Sequence, residues 1–347
     1  MLGTRLDLER IRAARQVIDP VFLDSPLYRC EALDPVLGCA ISIKLETANP
    51  VRSFKGRGTE VVADQLSRGT SHAVVCASAG NLGQALAWSG RHRDLAVTVV
   101  ASRYATPAKL DRIRALGATL ELVDGDHELA RDRAAAIAQH NGIRLLEDSL
   151  DLETCEGAAT IALELVDSFR PYAPHESRAV LPPQAHLSGR SGGDGGTGSG
   201  QPVVLIALGG GAMATGIGYV LKTLAPYVEV ICVQPHGAPA MTRSWHQRRV
   251  ITTDSTDTIA DGVAGRRPIP EVLDDLLIVA DDAVLVQESS IITGLRLLLD
   301  HAGLVVEPSA ALGIAAILED PARFAGRPVT TIICGSNVDS DKYRSWI

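Results

Sequence analysis

The sequence predicts an α/β fold built on doubly wound parallel sheets. Short, mostly apolar runs alternate with longer helical patterns through most of its 347 residues. Turns rich in Gly and Ser follow several of those runs, where parallel strands hand over to helices. Hydrophobic residues make up 46% of the chain but aromatics only 4%, so the apolar mass is Ala, Val, Leu and Ile. That composition suits strands buried on both faces between helical layers. The length suits two domains, or one large α/β unit with an inserted lobe.

The elements read in order as follows. Residues 1–15 form an amphipathic helix of mixed charge (Arg5, Asp7, Glu9, Arg10). Residues 74–76 are a strand leading to a helix near Leu82, and 96–100 a strand followed by a helix over 107–116. Residues 119–123 are a strand, with a helix over 127–140. Further strands are expected at 203–208, 228–233, 277–280 and 330–334. Periodicity does not fix the number of sheets.

Residues 186–201, HLSGRSGGDGGTGSGQ, interrupt this pattern. Almost free of apolar side chains, they cannot bury enough surface to offset their ordering entropy and read as a flexible loop. A phosphate loop lies between a strand and the helix after it, whereas this segment precedes a strand.

Formal net charge is −8, which argues against nucleic acid or an anionic membrane as the main partner. The six cysteines (Cys30, Cys39, Cys76, Cys155, Cys232, Cys334) show no CxxC and no Cys/His pair at zinc spacing. No metal site is expected from them, and free thiols point to a reducing compartment. The N-terminus lacks the apolar core of a signal peptide, and no run reaches membrane-span length. The expectation is a cytoplasmic protein.

Four motifs carry chemistry. In Ser53-Phe54-Lys55-Gly56-Arg57-Gly58, a lysine between an aromatic and a glycine lies close to backbone. Partial desolvation there makes the amine a competent nucleophile. In Cys76-Ala77-Ser78-Ala79-Gly80-Asn81, a strand gives way to a helix start able to bind an anion. In Leu208-Gly209-Gly210-Gly211-Ala212-Met213, successive glycines let backbone amides converge on a phosphate at a helix N-terminus. Neither a Walker lysine nor GxGxxG spacing is present, so a phosphate rather than a nucleotide is the economical ligand. The fourth motif, Cys334-Gly335-Ser336-Asn337, ends the last strand. The last three occupy the carboxyl ends of strands, where open α/β sheets bind ligands. Each also has a plain structural reading as a surface lysine, a capped helix, a packing turn or a terminal turn.

Taken together, SFKGRG, SAGN, GGGAMATG, TIADG (from Thr258), EPS (from Glu307) and CGSN resemble the fold-type II pyridoxal-phosphate enzymes, the tryptophan synthase β-like group. The likeness is nearest to threonine/serine dehydratases and serine racemases and runs from about Ser25 to Asp339. It implies two doubly wound domains with pyridoxal 5'-phosphate between them. Residues 1–49 and 149–347 would form the large domain, and 50–148 the small substrate-binding lobe. It further implies that Lys55 forms the Schiff base and moves the Cα proton, and that Phe54 packs beside the cofactor ring. Asn81 would bond the ring hydroxyl, and Cys334 would face the pyridine nitrogen, where a thiol does not hold that nitrogen protonated. Gly209, Gly210, Gly211, Ala212 and Met213 would cradle the phosphate. Ser78, Ala79, Gly80 and Asn81 would receive the substrate carboxylate, with Ser78 also catalytic. The implied partner is a small amino acid, and the implied assembly a homodimer.

Several positions depart from the family pattern. Leu82 replaces a common histidine, and Ala79 stands where racemases carry a second serine, so racemisation is not expected. Gln234 and Ala240 stand where the racemase branch binds a divalent cation. Arg52 is either a solvated side chain or a contact for a second substrate carboxylate. The implied reaction is dehydration and deamination of L-threonine or L-serine, with 3-hydroxyaspartate as a variant. β-Replacement, as in cysteine or diaminopropionate synthesis, is the enzymatic alternative, and a non-catalytic small-molecule binder the alternative from another class.

Overall fold

The computed structural model describes residues 2–174 and 200–347, so the predicted loop at 186–201 lies outside the described residues except for Gly200 and Gln201. The strands are β1 (Leu27–Arg29), β2 (Ala40–Leu45), β3 (Ala73–Ala77), β4 (Ala96–Ser102) and β5 (Thr119–Val123). They continue with β6 (Arg144–Leu146), β7 (Val203–Ala207), β8 (Glu229–Pro235), β9 (Asp282–Val286) and β10 (Pro328–Ile333). They form a six-stranded sheet in the order β1-β2-β10-β7-β8-β9 and a four-stranded sheet in the order β5-β4-β3-β6. Every pairing is parallel except β1 with β2. The central strands β7 and β10 are buried at every residue, as expected of strands covered on both faces.

The principal helices are α1 (Leu8–Val17), α2 (Lys55–Arg68), α3 (Asn81–His92), α4 (Pro107–Ala115), α5 (His127–Asn141) and α6 (Leu152–Phe169). Beyond the undescribed stretch come α7 (Ala212–Leu224), α8 (Ala240–Gln247), α9 (Pro270–Val279), α10 (Glu288–Ala302) and α11 (Leu312–Glu319). Local chemistry sets their ends. The Asp126 carboxylate accepts from the Leu129 N–H to cap α5, which stops at Gly142 with φ of 62°. The first helix starts later than its amphipathic pattern suggests, because Asp7 caps it by accepting from the Arg10 N–H.

Residues 277–280, expected as a strand, are instead the end of α9 and its cap. Pro270 starts that helix, and Val272, Leu273, Leu276 and Val279 bury one helical face. The strand of that region is β9, which begins at Asp282. Strands β1, β2 and β6 had no counterpart in the sequence reading. Two are only three residues long, and β2 carries a buried lysine, Lys44.

Helix α2 is pinned to α6 by a close backbone crossing. A Cβ on Gly157 would lie 2.5 Å from the Gly58 Cα, and one on Gly58 would lie 2.8 Å from the Thr154 Cα. A buried charge cluster locks the same crossing. Arg57, fully buried, donates to Glu46 Oε1 and Oε2 at 2.9 and 2.8 Å and to Glu164 Oε1 at 2.6 Å. Lys44 Nζ donates to Glu164 Oε2 at 2.5 Å and to the Ser25 carbonyl at 2.7 Å. The motif around Lys55 thus fixes its helix before any ligand is considered.

Candidate active site

A cleft of about 760 Å³ opens where the carboxyl ends of β3, β4 and β6 face those of β7 and β10. Lys55 and Phe54 line it at the start of α2, as do Ser78, Ala79, Gly80 and Asn81 in the turn from β3 to α3. From the larger sheet come Gly209, Gly210, Gly211, Ala212 and Met213 after β7, and Cys334 after β10. The tertiary structure brings all the sequence-predicted site residues onto one surface.

Lys55 is the first residue of α2, and its Nζ lies 4.7 Å from the centre of the Phe54 ring. Its amine donates to Asp148 Oδ2 at 2.5 Å. The Phe54 N–H donates to the Cys334 carbonyl at 3.1 Å, which ties the lysine segment to the end of β10. Burial and the nearby Glu307 push the Cys334 thiol well above its ordinary range, so it stays protonated at neutral pH.

Ser78 follows β3, and its hydroxyl accepts from the Gly80 N–H at 3.2 Å. Asn81, the first residue of α3, donates its amide to both oxygens of Glu307, at 2.9 and 3.1 Å. Asn337 donates its side-chain amide to Asn81 Oδ1 and to the Val51 carbonyl, each at 2.8 Å, and its N–H to Glu307 Oε2 at 3.3 Å. Burial pushes the Glu307 carboxyl up to about 7, against the lowering effect of the Asn81 amide. A side chain on Gly335 would lie 2.5 Å from that carboxyl, so the CGSN glycine is needed to admit it.

The glycine loop is braced from beneath. Gly211 has φ of 112°, a conformation that strains residues with a side chain. The Ala212 N–H donates to Ser149 Oγ at 3.1 Å, and a Cβ on Gly210 would meet that oxygen at 2.6 Å. The first amides of a helix have no carbonyl partner within it, and the loop at the start of α7 lines the cleft, a position suited to an anion.

The sequence reading missed Asp148 and Ser149 and did not place Glu307 or Asn337 among the site residues. Glu307 and Asn337 sit inside the EPS and CGSN motifs, which were the available signal. Asp148 follows β6, a strand of three residues that periodicity does not reveal. Arg52 is exposed, with φ of 53°, and is not among the cleft-lining residues. Arginines that do line the cleft are already paired, Arg131 with Glu147 at 2.9 Å, Arg266 with Asp126 at 2.7 Å and Arg267 with Glu128 at 3.5 Å. Gln234 is buried, and its side-chain carbonyl accepts from the Thr242 N–H and hydroxyl at 2.8 and 3.0 Å.

Comparison with known proteins gives this cleft a context. A family model described as "Pyridoxal-phosphate dependent enzyme" matches residues 18–335. The chain is similar to an L-threonine ammonia-lyase of Thermotoga maritima, 28% identical over 96% of this chain and 76% of that protein. It is 26% identical to a beta-hydroxyaspartate dehydratase of Paracoccus denitrificans, over 96% and 97% of the two chains. Among solved structures, a T.th. threonine deaminase superposes with a TM-score of 0.82 at 26% identity, covering 96% of this chain and 99% of that one.

Proposed function

The chain belongs to the pyridoxal-phosphate dependent enzymes, and from that premise we propose that it is an ammonia-lyase removing the β-hydroxyl of a small amino acid. L-Threonine and L-serine are the first candidate substrates, and the products are a 2-oxo acid and ammonia. The observation that carries this reading is a single cleft holding a lysine amine, a helix-start anion cradle and an Asn- and Ser-lined turn.

These residues fit the cofactor. Lys55 would bind it covalently, and the loop of Gly209, Gly210, Gly211, Ala212 and Met213 would take its phosphate through amides other than that of Ala212, which donates to Ser149 Oγ. The Gly210 position has no room for a side chain over Ser149, and Gly211 has the backbone conformation that glycine tolerates, as a cradle requires. Phe54 would pack beside the ring and Asn81 would bond its hydroxyl. The protonated Cys334 thiol would face the ring nitrogen without charging it. Bound there, pyridoxal phosphate supplies an electron sink that acidifies the substrate Cα–H.

The protein's own residues do the rest. Ser78 and the amides of Ala79, Gly80 and Asn81 orient the substrate carboxylate at the start of α3. The free Lys55 amine would take the Cα proton. The reading divides the chain into residues 1–49 with 149–347, and a small lobe of 50–148. It also takes the enzyme to be a cytoplasmic homodimer. Six free, buried cysteines support a reducing compartment.

The test is release of 2-oxo acid and ammonia by cofactor-loaded protein from L-threonine, L-serine, D-serine and the 3-hydroxyaspartates. Turnover of one of them, lost in Lys55→Ala together with the lysine-linked absorbance band, is the expected result. A spectral response to amino acid without oxo acid would replace elimination by β-replacement. Absence of any Lys55-dependent band would overturn the reading.

A further inference from the structure

The turn between β6 and α6 places on the reactive lysine a carboxylate that no sequence motif announces. Asp148 Oδ2 lies 2.5 Å from Lys55 Nζ, with the two side chains 30% and 16% exposed. The other oxygen, Oδ1, is buried and has no hydrogen-bond partner among the described residues.

The position of Asp148 is tightly determined. The next residue, Ser149, is fully buried and has φ of 70°, unusual for a residue with a side chain. Its N–H donates to Thr154 Oγ1 at 3.1 Å, and its hydroxyl accepts from Ala212 in the glycine loop. A strained turn persists only where its surroundings over-determine it, and such turns cluster at working sites. The other acids on the cleft have partners of their own. Glu147 pairs with Arg131, Asp126 with Arg266, Glu128 with Arg267, Asp261 with Lys109, and Glu307 accepts from Asn81. Among the described residues, Asp148 is the carboxylate in contact with the lysine amine.

Resting on the elimination reading above, we propose that Asp148 is a catalytic residue, the acid that protonates the departing β-substituent with a proton relayed through Lys55. The Cα–H bond breaks and its proton goes to the Lys55 amine, while its electron pair forms the Cα–Cβ double bond. The Lys55 ammonium passes a proton to Asp148 across the 2.5 Å contact. Asp148 gives that proton to the β-oxygen as the Cβ–O bond breaks, and water leaves with the bonding pair. Lysine amine and aspartate carboxylate are both restored. The relay suits substituents that depart only when protonated, a hydroxyl or an amine, and is superfluous for a halide.

The experiment compares L-serine with β-chloro-L-alanine, whose chloride needs no proton, in wild type, Asp148→Asn and Asp148→Glu. The Lys55-linked band, its rate of formation when pyridoxal phosphate is added to cofactor-free protein, and the unfolding midpoint are followed alongside. Asp148→Asn is expected to lose about 100-fold or more on serine and to stay within about 3-fold on the chloride, the range of a general acid. Asp148→Glu should recover part of the serine rate. Equal losses on both substrates, or none on either, would overturn the proposal while leaving the elimination reading intact. So would a change confined to cofactor capture, the mark of a simple counter-ion. Should Asp148→Asn not fold, an Asp148→Glu variant whose serine-to-chloride ratio is lowered no more than its chloride rate decides against it. A wild type inert toward both substrates would overturn the elimination reading itself.

Discussion

Asn81 and Glu307, separated by 226 residues in sequence, meet across the cleft with the amide nitrogen 2.9 and 3.1 Å from the two carboxylate oxygens. One belongs to the helix after β3 of the smaller sheet, the other to the stretch preceding α11 on the larger. The contact joins the two sheets at the site, and its strength depends on the charge carried by Glu307.

That charge makes stability depend on pH. Burial lifts the Glu307 carboxyl from 4.5 to about 7. A carboxyl with a raised folded-state pKa binds its proton more tightly when folded. Its contribution therefore favours the folded state at low pH and fades as pH rises from about 4.5 to about 7. Relative to Glu307→Gln, wild type should lose on the order of 2 kcal/mol between about pH 5 and about pH 8. Denaturant unfolding of both proteins at the two pH values checks this. A difference that does not vary with pH would place the Glu307 titration elsewhere.

Asn337 holds that junction from the other side. Replacing it with alanine leaves the Val51 carbonyl and Asn81 Oδ1 without their donor. The expected cost is about 1–3 kcal/mol, since partly buried acceptors are left unpaired. Freed of its brace, Asn81 should also hold the cofactor less well, which equilibrium dialysis of pyridoxal phosphate measures directly.

Arg57 looks like part of a catalytic motif but serves the scaffold. It is fully buried between Glu46 and Glu164, and its guanidinium, with Lys44, holds the Glu164 carboxyl down to about 2 despite burial. Arg57→Met should destabilise by about 3–5 kcal/mol, because buried Glu46 loses its guanidinium partner and Glu164 is left to Lys44 and Arg15. Arg57→Lys should recover only part of this, since one ammonium cannot reproduce the forked contacts. Chemical denaturation at neutral pH distinguishes these from a loss confined to turnover. The Glu164 share of this stability is present above about pH 4.5 and disappears only as pH falls toward about 2.

The glycine cradle gives a steric prediction. Gly210→Ala places a Cβ 2.6 Å from Ser149 Oγ and should weaken cofactor binding about tenfold, equivalent to ~1.4 kcal/mol. Pairing it with Ser149→Ala removes the obstructing oxygen and should recover part of that loss. A double variant no better than the single would show that Gly210 matters for something other than this contact.

Much of this protein was legible in its sequence because the signals are local. Apolar runs marked six of the ten strands among the described residues, including β3, β7 and β10, and glycine-rich turns after β7 and β10 marked the ends that open on the cleft. Ser78, Asn81 and Cys334 stood out as residue types set just beyond strand ends, and Lys55 as a lysine between an aromatic and a glycine. The run at 277–280 misled because a short apolar stretch has no period long enough to separate a helix end from a strand. Other features existed only once distant segments met. The Asp148–Lys55 pair spans 93 residues and the Asn81–Glu307 pair 226. Asp148 follows a strand too short to show periodicity, and a carboxylate at an unmarked turn is chemically anonymous until a lysine amine is set beside it. Sequence by itself determined the family and the parallel α/β architecture, and marked Lys55 and the glycine loop as candidates for a Schiff base and a phosphate cradle. Tertiary structure decided which acid faces the Lys55 amine and which are spent on the buried Arg57, because burial and partner distance, not residue type, set what a carboxylate can do.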